Sequence, residues 1–175
     1  QVGSSAASDV YKRQDLEVVS VMGPNIDKIA ALANERHIEH YSDSLEECIS
    51  LQNVDAVILS TPTQMHANQA IECMDAGKHV LVEIPMADTL ADSNRIVDKK
   101  RETGLVCMAG HVRRFNPSHQ WINNKIKAGE LKIQQMDAQT YFFRRTNTNA
   151  KGEPRSWTDH LLWHHACHCL LYTSP

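Results

Sequence analysis

The sequence contains no G-x-G-x-x-G and no run of basic residues with aromatics set between them. The second absence removes nucleic acid as an expected partner, because a surface that tracks phosphates needs a concentrated positive field. The formal net charge of -3 agrees with this. Arg113 and Arg114, and again Arg144 and Arg145, are short pairs that cannot build such a surface by themselves. No apolar run approaches the roughly 20 residues a bilayer-spanning helix needs, so no membrane insertion is expected. The chain also opens without a basic n-region, an apolar h-region and a cleavage site. Its five cysteines, at 48, 73, 107, 167 and 169, are odd in number and show no secreted-type framework. A reducing cytoplasm is therefore the expected compartment.

What is present is ordinary globular composition: 175 residues, 42% hydrophobic and 22% charged. That length allows one sizeable core, or one domain and part of another. Residues 1–14 carry no periodicity and change abruptly into LEVVSVM, while residues 170–175 interrupt a helical pattern. Both ends are read as flanks foreign to the fold.

Between them a rhythm is legible. LEVVSVM (16–22) is a β-branched apolar run of the kind buried on both faces, and GPN breaks it before the helical IDKIAALANER. Asn25 is placed to cap that helix, with Lys28 where a capping box would want an acid. A short strand is expected over 37–41, followed by a helix that starts at Ser42 or Asp43. VDAVILS (54–60) is the next strand, and a helix beginning near Thr61 or Thr63 runs to Gly77. KHVLVEIP (78–85) is a strand stopped by Pro85, 88–103 an amphipathic helix closed by Gly104, and LVCMAGH (105–111) a further strand. Strands alternating with helices of this length predict an α/β fold with a mostly parallel sheet. Past His111 the rhythm changes. A helix with Pro117 in its first turn ends at Gly129, 133–143 reads as a more exposed strand, and a polar linker leads to a helix-like segment from about 158. The chain divides near 111–115 into a first domain over 15–112 and the start of an α+β domain over 113–175.

In a parallel sheet, ligands lie beyond the carboxyl ends of the strands. The residues there are Gly23, Pro24 and Asn25; Thr61 and Pro62; Glu83, Ile84 and Pro85; and His111, Arg113 and Arg114. A dinucleotide needs a glycine-rich turn for its pyrophosphate. The lack of one is expected if the first strand lies ahead of Leu16. Four arginines favour an anionic ligand such as a dicarboxylate, since a guanidinium pairs bidentately with a carboxylate. In DHLLWHHACHC (159–169), His160, His164 and His168 fall at i, i+4 and i+8 on one helix face, whereas His165 points elsewhere. Zinc ligation, structural imidazoles and proton transfer all fit that spacing. No metal site is assigned, because H-x-x-x-H without the metalloprotease glutamate is a weak motif.

The strings TPTQMHANQAIECMDAGKHVLVEIPMA and GHVRRFNPSHQW resemble the glucose-fructose oxidoreductase and inositol dehydrogenase (Gfo/Idh/MocA) family. The resemblance implies a Rossmann-like dinucleotide-binding domain, here without its first strand and glycine loop, and then the start of a substrate domain. It implies an oxidoreductase that uses NADP, with NAD as the alternative, on a small-molecule dicarboxylate, in a homo-oligomer. A sugar or polyol dehydrogenase, or a non-catalytic coenzyme-binding sensor, are the alternatives. Thr61, Pro62 and His66 match the segment lining the dinucleotide, and Glu83 and Pro85 match the E-K-P motif beside the nicotinamide. Gly23 and Asn25 stand in the turn where coenzymes are told apart, but offer neither an acid for the ribose diol nor an arginine for a 2'-phosphate. Ile84 occupies the position of the family's catalytic lysine. In the family's D-x-G-x-H motif, His164 stands for the aspartate and His168 is retained, making these the implied catalytic pair. Arg113, Arg114, Arg144, Arg145 and His165 are the implied substrate contacts.

Overall fold

The computed structural model describes residues 16–135 and 137. Five short strands alternate with helices: β1 (Ser20–Met22), α1 (Ile26–Arg36), β2 (His40–Ser42), α2 (Leu45–Ser50), β3 (Ala56–Leu59), α3 (Thr63–Asp75), β4 (His79–Val82), α4 (Leu90–Thr103) and β5 (Cys107–Ala109). A 3-10 turn (Val112–Phe115) and α5 (Pro117–Lys127) follow. Every described strand pairing is parallel, β1 with β2 and β3–β4–β5 in that order. The fold is α/β. The chain divides into two units, Gln1–Gly110 and His111–Pro175.

Local chemistry explains where the helices begin and end. The Asn25 side chain accepts the Lys28 N–H at 3.0 Å, Ser44 accepts from Glu47, Thr89 from Asp92, and Asn116 from Ser118 and His119. Each satisfies an amide that the first turn leaves without an intrahelical acceptor. At the other end of α3, Gly77 takes φ +76° while Lys78 N–H donates to Cys73 O and Gly77 N–H to Met74 O. This is the Schellman arrangement that a residue without Cβ enters freely. The same closure ends α1 on His37 at φ +56°, with Ile38 N–H donating to Ala33 O. There no glycine marks it in the sequence.

Strands come out shorter than their apolar runs. Of residues 16–22 only the last three enter a ladder, because β2 offers just His40–Ser42 as partners. Ser42, expected near a helix start, is the last residue of β2. Its hydroxyl accepts the Ser44 N–H and donates to the Glu47 carboxylate. β4 ends at Val82 and the chain turns out of the sheet through Ile84 and Pro85, where a proline has no N–H to give a ladder, and the Ile84–Pro85 bond is cis.

The core of the first unit lies between β3–β4–β5 and α3 and α4. Leu59, Ala70, Cys73, Met74, Val80, Val82 and Ile96 are all at most 2% exposed there. Full burial of each larger aliphatic side chain is worth about 1.5–3 kcal/mol. At the surface, α3 and α4 are tied by Lys99 to Asp75 at 2.9 Å and by Arg95 to Asn68 at 3.2 Å. Among the described residues no helix is long and apolar enough to cross a membrane. The expected strand over 133–143 and the histidine segment lie largely or wholly outside the described residues.

Candidate functional site

The register of the three-stranded sheet, Leu59 opposite Val82 and Val82 opposite Ala109, brings the segments after β3, β4 and β5 to the same edge. Thr61, Glu83 and Gly110 follow those ends within a residue or two. Glu83 N–H donates to Leu59 O at 2.9 Å and Gly110 N–H to Val82 O at 2.8 Å, so the hydrogen-bonded edge extends past the strands proper.

Glu83 folds back on itself, its carboxylate accepting the Ile84 N–H at 3.3 Å. It lies against Gly110: a Cβ there would stand 3.0 Å from Glu83 Oε2 and 3.4 Å from its Cα. Glycine at 110 is thus what lets the carboxylate occupy the end of β5. Sequence reasoning did not single out this residue, and only a contact across strands could have shown it. Elsewhere in the segment after β4, the Asp88 Oδ1 is buried with no hydrogen-bond partner.

Thr61 is held by its own helix. Its hydroxyl donates to Gln69 Oε1 at 2.5 Å, and its carbonyl lies 2.7 Å from His66 Nε2. The other ring nitrogen of His66 lies 2.8 Å from Pro85 O. His66 is 2% exposed and Gln69 is also buried, so both polar side chains sit on the inward face of α3. Gln69 was also missed. Its one signal in the sequence is a polar residue at i+3 from His66, among the apolar Ala67, Ala70 and Cys73. Pro62 opens α3 without a side-chain cap.

At the end of β1, Gly23 N–H donates to Ser42 O at 3.2 Å. A Cβ at Gly23 would meet Ile29 Cδ1 at 2.7 Å, so a larger residue here would push the Ile29 side chain aside. The exposed Asn25 uses its side-chain oxygen as the α1 cap.

In the second unit, burial first and the neighbouring Arg114 guanidinium second hold the His111 imidazole below its ordinary pKa of 6.5. His119 Nδ1 lies 3.2 Å from the Arg113 carbonyl. Arg113 is half-buried and Arg114 exposed. Arg144, Arg145, His164, His165 and His168 lie outside the described residues. Among the described residues no group of three His, Cys, Asp or Glu side chains could hold a metal. Burial pushes the Cys73 thiol up to about 12 and that of Cys107 upward as well. Neither is poised as a nucleophile.

The profile of a family described as an oxidoreductase family with an NAD-binding Rossmann fold matches residues 1–111. A second profile, for the C-terminal region of bacterial oxidoreductases, matches residues 117–173. The chain is 63% identical over 153 residues to 4-carboxy-2-hydroxymuconate-6-semialdehyde dehydrogenase of Sphingobium sp., a match covering 87% of this chain and 49% of that protein. It thus spans about half the length of that relative. Among solved structures, a probable dehydrogenase from Thermotoga maritima superposes with a TM-score of 0.69 at 22% identity, over 73% of this chain and 39% of that one. A scyllo-inositol dehydrogenase from Lactobacillus casei, solved with NAD(H) and scyllo-inositol, gives 0.67 at 20% identity over 71% and 37%. At such identities the structures speak to the fold.

Proposed function

The chain belongs to the Gfo/Idh/MocA oxidoreductase family, and from that premise we propose that the full-length protein is an NADP-dependent dehydrogenase. Its substrate is the cyclic hemiacetal of 4-carboxy-2-hydroxymuconate-6-semialdehyde, and its product 2-pyrone-4,6-dicarboxylate. The observation that carries this reading is the 63% identity over 153 residues to the dehydrogenase acting on that semialdehyde.

The edge after β3, β4 and β5 fits a dinucleotide in kind. It lies at the carboxyl ends of parallel strands, and it places the Glu83 carboxylate against Gly110. When bound, the nicotinamide supplies the hydride acceptor at its C4. The chain's own groups do the rest. His168 or His164 takes the hemiacetal O–H proton as hydride leaves the ring carbon, so a C–H and an O–H bond break and the lactone C=O forms. A near-neutral imidazole suits that task, and Ile84 removes the family's lysine from it. Some of Arg113, Arg114, Arg144 and Arg145 hold the ring carboxylates and orient the reacting carbon, with His165 as a further substrate contact. Gly23, Asn25, Thr61, Pro62, His66, Glu83 and Pro85 form or support the coenzyme side. The full-length enzyme acts in the cytoplasm as a homo-oligomer.

The test is coenzyme reduction by the full-length protein, followed by the absorbance of the reduced nicotinamide, with NADP+ and with NAD+. Turnover of the semialdehyde is expected. Turnover only of sugars or polyols would replace this substrate assignment, and coenzyme binding without any turnover would indicate a sensor. Within the enzyme, His168→Ala is expected to lower kcat by about 100-fold or more, the usual share of a general base, with little change in coenzyme affinity. Arg144→Ala or Arg145→Ala should chiefly raise KM for the semialdehyde. Equal loss of fold in all three, read by circular dichroism, would sink these roles.

A further inference from the structure

Thr61 has two polar handles, and α3 holds both: Gln69 takes the hydroxyl and His66 faces the carbonyl. The same imidazole faces the carbonyl of Pro85, 19 residues away in the segment after β4. Both partners of the ring are backbone carbonyls, acceptors only, so whichever ring nitrogen carries the hydrogen has an acceptor within 2.8 Å. Burying imidazole and carboxamide side chains in an apolar core costs free energy unless they are bonded, and two apolar residues would fill the same volume without that demand. Nor is the contact needed to start the helix, because the amides of its first turn are not what His66 engages. What the pair does determine is where two loops stand relative to one another.

We infer that His66 is a positioning residue: one imidazole under the Thr61–Pro62 turn and the Pro85 turn sets the spacing between the two walls of the coenzyme site. This rests on the coenzyme reading proposed above. It assigns His66 a role through Thr61 and Pro85, with its ring nitrogens turned to backbone rather than to the ligand. The two contacts are separable, since an asparagine amide nitrogen falls near the Nδ1 position and a glutamine amide nitrogen near Nε2. His66→Asn therefore retains a donor toward Pro85 O and gives up Thr61, whereas His66→Gln does the reverse.

The experiment uses the full-length protein, with NADP+ and NAD+ as probes in calorimetric titrations, steady-state kinetics with the semialdehyde, and a thermal unfolding curve for each variant. Loss of one such hydrogen bond corresponds to a change of about three- to tenfold. His66→Asn is expected to weaken coenzyme binding by about that factor with kcat nearly kept, and His66→Gln to lower kcat by about that factor with binding nearly kept. Unchanged parameters in both variants would overturn the proposal. So would parallel losses in both parameters that track the unfolding temperature, or failure of both variants to fold, since each marks an ordinary core histidine. Wild-type protein that binds neither coenzyme would overturn the functional reading itself, a result seen before any variant is made.

Discussion

Cys73 shows how burial settles the chemistry of a single residue. It has no exposed surface, and its thiol is pushed up to about 12, first by desolvation and then by the Glu72 carboxylate. At pH 8 only about one such thiol in 10,000 would be ionised. Iodoacetamide at pH 8, read by peptide mass spectrometry, should leave Cys73 unmodified in the native protein and label it once urea is present. Native labelling of Cys73 would contradict its placement on the buried face of α3. His66 makes the complementary point about legibility. Its motif position marks it in the sequence, but its partners are backbone atoms 5 and 19 residues away. No periodicity reveals such pairs. Gly110 is similar, its significance resting on a carboxylate 27 positions earlier in the chain.

Elements were the most legible scale, because caps and apolar periods are local. α4 begins at Thr89, whose hydroxyl accepts the Asp92 N–H at 3.0 Å and donates to the Asp92 carboxylate at 2.8 Å. Thr89→Ala should lower stability by about 1 kcal/mol, measured as a lower urea midpoint at pH 7. The Thr89 hydroxyl first, and Arg95 second, hold the Asp92 carboxyl below its ordinary value of 3.8. A lowered carboxylate contributes stability above its unfolded value, and that contribution fades as pH falls through the folded one. The gap between wild type and Thr89→Ala should therefore narrow as pH falls below 3.8. A gap that widens there would refute this account. Strand lengths and the closure of α1 on His37 were not legible: ladder length depends on a partner strand, and His37 lacks the glycine signal that Gly77 and Gly104 carry.

At the scale of the molecule, the two parallel ladders, β1–β2 and β3–β4–β5, are separate among the described residues. In the doubly wound order, the first strand and its glycine loop stand between such a pair and such a trio. If the full-length protein completes that sheet, coenzyme binds the native state alone. NADP+ at 100 times its Kd should then stabilise the protein by about 2.7 kcal/mol, with NAD+ at the same concentration giving less. Thermal unfolding against coenzyme concentration checks this, and equal shifts for both coenzymes would overturn the proposed NADP preference. The sequence by itself determined the class of the fold, the order of its elements and the loops that end its strands. These follow from the alternation of apolar runs, helical periods and turn residues, all of them short-range. Only the tertiary structure decided that His66 lies beneath both Thr61 and Pro85, that Gly110 makes room for the Glu83 carboxylate and that Gly23 admits Ile29. Those are approaches between residues distant in the chain, and packing alone brings them together.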